Sequence, residues 1–286
     1  MVVKLGYLTR YSEDELKRAS SIGFDGLEVH AKSWPDDVLQ SADKRKEAAN
    51  EAKALCAKYG VTITAIASYQ AGNIPAADRI ATFKTVADFC VQMGVGVITT
   101  LTGGDPELGP KENVKLWAET FREVAKVAES SGLKIAFENW PGCGLVPPIK
   151  SSTFGFNPPA WEMMFNEVDS PALGLEFDPS HLVWQWCDYI EVARRFGPRI
   201  HHVHLKDTEI REGVLAENGF FSGGWWRYRI PGFGLVDWPG FFSVLREVGF
   251  DGGTAIEHED GVFSGDRWEE GLRLGYNFLR PLIIKG

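Results

Sequence analysis

The sequence predicts an α/β chain folded as a single (β/α)8 TIM barrel over residues 1–286, and three observations predict it. Short β-branched or apolar runs alternate with amphipathic stretches from end to end, and that alternation argues for a parallel sheet. A length of 286 residues suits one closed barrel with insertions. No G-x-G-x-x-G opens a helix after the first strand, which weakens the dinucleotide-binding alternative.

The elements follow in order. "KLGYL" (4–8) is the first strand, and "SEDELKRASSIG" (12–23) is a helix whose Ser12 and Glu15 form a capping box and whose Gly23 is a stop. "GLEVH" (26–30) is the second strand. A Lys/Glu/Ala-rich helix runs from there to Tyr59–Gly60, and "VTITAIA" (61–67) is the third strand. "RIATFKTVADFCVQMG" (79–94) leads to "VGVITT" (95–100). "KENVKLWAETFREVAKVAESSG" (111–132) sets Val114, Trp117, Phe121, Val124 and Ala128 on one helical face before "LKIAFE" (133–138). "AWEMMFNEV" precedes "LGLEFD" (173–178), "DYIEVARRFG" precedes "IHHVHLK" (200–206), and "WPGFFSVLREVG" precedes "GTAIE" (253–257). A final helix, "RWEEGLRLGYNFLRPLI", ends the pattern. The long irregular pieces, 139–160 and 208–235, follow strands five and seven, so both belong at the barrel's C-terminal mouth.

Composition excludes several classes. With 44% hydrophobic and 24% charged residues the chain can build a sizeable core. Thirty basic against 39 acidic residues give a net charge of −9, the wrong sign for a duplex-binding footprint. Cys56, Cys90, Cys143 and Cys187 are scattered without a C-x-x-C and read as structural in a reducing, cytoplasmic setting. No signal-peptide h-region or apolar run of membrane-spanning length is present in the sequence.

Successive strand side chains face opposite ways, so parity sorts barrel interior from helix-facing exterior. Glu28 and His30, Glu138, Glu176 and Asp178, His202, His204 and Lys206, and Glu257 all fall inward near strand ends. His201 and His258 fall outward. Three carboxylates converging on the mouth repel unless neutralised. A divalent cation does that, and oxygen ligands with one imidazole suit Mn²⁺, Mg²⁺, Co²⁺ or Zn²⁺.

Four motifs in this order, "FENW" (137–140), "LEFDPSH" (175–181), "HVHLKD" (202–207) and "AIEHED" (255–260), resemble the xylose-isomerase-like TIM-barrel superfamily, which includes ketose 3-epimerases, inosose dehydratase and endonuclease IV. The resemblance implies a divalent metal, Mn²⁺ foremost, on Glu138, Asp178, His204 and Glu257. It also implies that Glu138 and Glu257 double as the acid/base pair. His181 matches a position that touches substrate oxygens, and Lys206, Trp140 and Glu28 are further substrate-binding candidates. The implied activity is isomerisation or epimerisation of an unphosphorylated keto sugar or polyol through a metal-stabilised enediolate. The alternative is a dehydratase or lyase acting on an inosose or a 3-keto-glycoside. Departures narrow the resemblance: Glu138-Asn139-Trp140-Pro141-Gly142 stands where 3-epimerases continue with a proline and a second glutamate, and "HVHLKD" leans toward the dehydratase branch. Endonuclease-type relatives need more histidines, including one after strand three, where this chain reads "ASYQAGN". A catalytically silent sugar-binding barrel is the non-enzyme alternative.

The expected partner is a small sugar or polyol, with homo-oligomers allowed and no nucleic acid or membrane. "TGGD" (102–105) reads as a plain turn. The aromatic, basic stretch "GGWWRYRIPGFG" (223–234) reads as a lid or subunit contact, with Trp225, Trp226 and Arg227 as the residues that would reach the site.

Overall fold

In a computed structural model, which describes residues 3–70, 72–142 and 149–283, eight parallel strands close on themselves. They are β1 (Lys4–Thr9), β2 (Gly26–His30), β3 (Thr62–Ala67), β4 (Val97–Thr100), β5 (Lys134–Glu138), β6 (Leu173–Phe177), β7 (Ile200–Leu205) and β10 (Gly253–Ile256). The order around the barrel is β1-β10-β7-β6-β5-β4-β3-β2, with β1 also pairing β2. The predicted α/β barrel is therefore the observed one, with helices around it.

Local chemistry sets the elements. Ser12 accepts from the backbone N–H of Glu15 and caps the helix Glu13–Ile22, a contribution of about 1 kcal/mol for a residue of this kind. Gly23 ends that helix at φ 107°. A side chain there would be strained and would also strike the Tyr276 hydroxyl. The helix Pro110–Ser131 buries the predicted stripe Val114, Trp117, Phe121, Val124 and Ala128. Trp117 and Phe121 stack at 5.2 Å, and both meet Phe137 of β5 edge-on. Each such side chain contributes roughly 1.5–3 kcal/mol on burial, so helix and strand are fixed together.

Parity holds along the strands. Leu27, Val29, Leu173, Leu175, Phe177, Val203, Leu205 and Ile256 lie in the apolar core under the helices, with Phe177 stacked on Phe241 at 5.5 Å. His201 is half-buried on the outside, over Gly174, and His258 stacks on Trp268 at 5.3 Å. The pairing shifts register between Leu27 and Glu28 and between Leu175 and Glu176.

The segment after β7 is more ordered than the expected irregular loop. β8 (Asp207–Ile210) and β9 (Trp226–Arg229) pair antiparallel across the mouth, joined by a connection that contains the helix Glu212–Asn218. Asp207 anchors this strap: its carboxylate accepts from the N–H groups of Thr208, Gly232 and Val236 and from the Trp238 indole. Cys56, Cys90 and Cys187 are free thiols, while Cys143 lies outside the described residues. No helix is long and apolar enough to cross a membrane among the described residues.

Candidate metal centre

Glu138 ends β5, Asp178 follows β6, His204 lies near the end of β7, and Glu257 follows β10. One ligand atom from each falls within 4.8 Å of the others. His204 Nδ1 is 3.1 Å from Glu257 Oε2 and 3.5 Å from Glu138 Oε1. Asn139 ties the two neighbouring strand ends together, donating to the Asp178 carbonyl (2.9 Å) and accepting from its N–H (2.8 Å). Asp178 Oδ1 caps the short helix Pro179–Val183 through Ser180 N (2.8 Å), leaving Oδ2 to face the cluster.

The donor set fits a divalent cation. Asp178 Oδ2 and His204 Nδ1 are buried and make no directed hydrogen bond among the described residues. Buried polar atoms are normally paired, and these two lie in the same small group. Burial alone would lower the His204 pKa, but Glu176, Glu257 and Glu28 outweigh it and raise it well above the usual value. Burial raises Glu138 and Glu257 repels it, yet His181 and His204 beside it bring its carboxyl down to about 2. Glu257 is likewise held low against its burial by Lys206 and His204. Ionised carboxylates gathered around one imidazole are hard-cation ligands, and a cation bound there would displace the proton that these carboxylates hold on His204.

Beneath this layer lies a second one. Glu28, Glu176 and His202 are fully buried and join His204 in another group of four within 4.8 Å. Here the hydrogen bonds close. His204 Nε2 meets Glu28 Oε2 at 3.0 Å, His202 Nδ1 meets Glu176 Oε1 at 2.9 Å, and Tyr69 donates to Glu176 at 2.8 Å. The Thr99 hydroxyl donates to Glu28. Burial raises both Glu28 and Glu176, and their mutual repulsion adds to it at Glu28. This group fixes His204 from behind, and Glu28, a candidate substrate contact from the sequence, is placed in it with no exposed surface.

The other candidates gather above the first layer. His181 Nε2 lies 3.2 Å from Glu138 Oε1 and 3.3 Å from Asp178 Oδ2. Lys206, 1% exposed, bonds Glu257, sits 3.0 Å from Glu259 and 3.2 Å from Asp178. Burial would lower its pKa, but these carboxylates overcome that and keep the ammonium charged. Trp140 is half-buried two residues past Glu138.

The strap contributes a residue that sequence reasoning missed. Tyr228 Oη is 2.7 Å from His181 Nδ1, and Lys206 Nζ lies over its ring at 4.5 Å. Trp225 is instead fully buried, donating to the Phe220 carbonyl, while Trp226 stacks flat on Trp184 at 4.8 Å and Arg227 pairs with Glu209. Alternation along β9 puts 226 and 228 on one face and 227 on the other, so the signal lay in the strand period of "WRYR".

Comparison with known proteins agrees with the geometry. The family model described as "Xylose isomerase-like TIM barrel" matches residues 16–282, and the chain belongs to that family. The uncharacterized protein YfiH of Bacillus subtilis is 30% identical over 98% of this chain and 99% of its own length. An inosose dehydratase of Clostridium beijerinckii is 26% identical over 60% of each chain. Among solved structures, the IolI protein with a bound zinc atom superposes with a TM-score of 0.73 at 20% identity, covering 98% of this chain and 97% of that one. D-psicose 3-epimerase of Clostridium cellulolyticum gives 0.71 at 16% identity over 98% and 99%.

Proposed function

We propose, from the premise that the chain belongs to the xylose isomerase-like family, that it is a divalent-metal-dependent enzyme that enolises an unphosphorylated keto sugar or polyol ketone and returns the proton, an isomerase or epimerase. The observation that supports this best is the flanking of His204 Nδ1 by two ionised carboxylates, each with its own donor. Glu138 carries His181, and Glu257 carries Lys206.

The cation, Mn²⁺ first and Mg²⁺, Co²⁺ or Zn²⁺ as substitutes, would be held by Glu138, Asp178, His204 and Glu257 and would supply Lewis-acid stabilisation of charge on the substrate's oxygens. Glu138 or Glu257 takes the proton from the carbon beside the carbonyl, and the electron pair moves onto the carbonyl oxygen. His181, whose Nδ1 meets Tyr228 Oη, directs Nε2 toward the same space and orients a hydroxyl. Lys206 places a positive charge where the oxyanion develops. Return of the proton to the opposite face of the same carbon, or to the former carbonyl carbon while the adjacent hydroxyl passes its proton to the first oxygen, completes a mass-neutral reaction. Lys206, the buried cation at the group, is already engaged by three carboxylates, so an unphosphorylated metabolite fits better than a sugar phosphate.

A second reading keeps the same first step and expels a β-hydroxyl, as in a dehydratase. Lys206 would be the proton source for it, its ammonium passing a proton to the departing oxygen to leave the amine and water. The named function of the curated relative, inosose dehydratase, points the same way. The shared part is tested by elemental analysis with a turnover screen of free ketoses, inososes and 3-keto-glycosides. We expect about one divalent ion per chain in active protein. Glu138→Gln, Asp178→Asn, His204→Ala and Glu257→Gln should each abolish turnover, and His201→Ala should retain it. Full activity in metal-free protein would overturn the proposal.

A further inference from the structure

A cavity of about 550 Å³ opens between the ends of β2 and β3 and the helices Asp36–Gln40 and Ala76–Met93. That is within the ~300–1,000 Å³ typical of small-molecule sites. Its wall includes His30 and Tyr69, whose rings meet edge-on at 6.0 Å. Tyr69 also reaches the carboxylate layers, its hydroxyl lying 2.8 Å from Glu176, 3.2 Å from Glu28 and 3.2 Å from His204. Tyr69 thus lines this space and reaches His204, one of the candidate metal ligands, with its hydroxyl.

The lining is two-sided in character. Leu39, Ile74 and Val86 supply apolar surface, whereas Gln40, Thr82 and Thr85 supply neutral polar groups. Among the described residues the only full charges on the wall are Lys32 and Asp36, which are opposite in sign, so they give no surplus to attract a phosphate or a carboxylate. Such a lining suits an uncharged ring with an apolar face and a polar edge.

We propose that this cavity is a second subsite, which takes the uncharged second ring of a two-ring glycoside whose ketone-bearing ring sits at the metal centre. The inference rests on the proposed function and narrows its substrate class from free sugars to glycosides. The second ring is an aryl aglycone or another sugar; the two share the chemistry of the lining.

The experiment is calorimetric binding of phenyl β-D-glucoside, cellobiose and myo-inositol to the metal-loaded protein, its Thr85→Trp variant and its Gln40→Trp variant, with metal content measured on each sample. Thr85 is half-buried on the cavity wall, and Gln40 is exposed at the rim, so the second variant carries little risk to folding. At least one two-ring probe should bind about tenfold or more tightly than myo-inositol. Both tryptophans should erase that advantage while leaving myo-inositol affinity and metal content unchanged. Preference for the phenyl glucoside alone identifies an aglycone pocket, and preference for cellobiose alone a sugar pocket. Equal affinity for all three probes, or an advantage that survives both tryptophans, would overturn the subsite. Two-ring selectivity in a protein that takes up no metal would retain the subsite and overturn the proposed function alone.

Discussion

The two ring nitrogens of His204 face opposite layers of acid: Nε2 lies 3.0 Å from Glu28 Oε2, and Nδ1 lies 3.1 Å from Glu257 Oε2. A histidine that binds a cation through one nitrogen is held by what the other nitrogen donates to. Glu28 therefore sets which tautomer is present and where Nδ1 points. Glu28→Gln keeps the shape but removes the charge, and it should weaken metal binding by about tenfold, within the ~10–100-fold range for such partners. Competition with a coloured chelator for Mn²⁺ measures this. Unchanged affinity in a folded variant would remove Glu28 from that role.

Tyr228 leads to a second expectation. Its hydroxyl donates to His181 Nδ1, or accepts from it, at 2.7 Å, and in the neutral imidazole that bond settles the state of Nε2 beside Glu138. Tyr228→Phe should lower kcat by about tenfold, less than the ~10²–10⁴-fold of a general acid or base because it misplaces His181 without removing it, with KM changed little and metal content intact. Deleting 222–229 should go further, because it removes β9, but it should also leave the cation in place. A Tyr228→Phe protein that loses only KM would make the residue a simple binding contact.

How legible these sites were depended on which rule governed each residue. Period-two alternation placed Glu138, Asp178, His204 and Glu257 among the inward-facing residues at the mouth, with Glu28, His30, Glu176, His202 and Lys206, and only the resemblance of the four motifs singled them out as a ligand set. Depth was not legible. Whether Glu28 meets a substrate or supports His204 is decided by strand stagger and by the register shift beside it, which the sequence of one strand does not encode. Tyr69 was missed because it lies just past the end of β3 and reaches inward by its length. Tyr228 was missed because the sequence 208–235 read as loop; the period of "WRYR" sets 226 and 228 on one face, and the pairing of β8 with β9 fixes which face turns inward.

The outer histidine carries a prediction about stability. Burial, with Lys134 and Arg199 nearby, lowers the His201 pKa from 6.5 to about 4, and its Nε2 has no hydrogen-bond partner among the described residues. Below pH 6.5 the unfolded chain takes up a proton there that the folded chain refuses, until the pH nears 4. The stability due to this group is thus fully present above about 6.5 and declines as pH falls toward 4, at up to ~1.4 kcal/mol per pH unit. His201→Phe removes that proton uptake, so its denaturant-derived stability should fall less steeply over this window than that of the wild type. Identical slopes would mean that His201 is protonated alike in both states.

The last prediction separates the two chemistries open to the site. Both begin when a carboxylate, Glu138 or Glu257, removes the proton beside the ketone, so both should show a primary deuterium effect where that step limits. They part at the enediolate. If the proton returns to carbon, product made in D₂O keeps the substrate's formula and gains deuterium at the reacting carbon, unless the carboxylate hands back the original proton before exchange. If Lys206 instead protonates a departing hydroxyl, the product is lighter by one water. A two-ring substrate can also lose its aglycone, which appears as a second species. Mass spectrometry of the screened ketoses, inososes and 3-keto-glycosides with Mn²⁺ present reads these outcomes directly. We expect mass-neutral, deuterium-bearing product, because Glu138 and Glu257 both stay ionised and face one point from different strands. Loss of water as the only reaction would transfer the site to the dehydratase reading. In that case Lys206→Met should abolish elimination while leaving exchange of the substrate's C–H proton with solvent measurable.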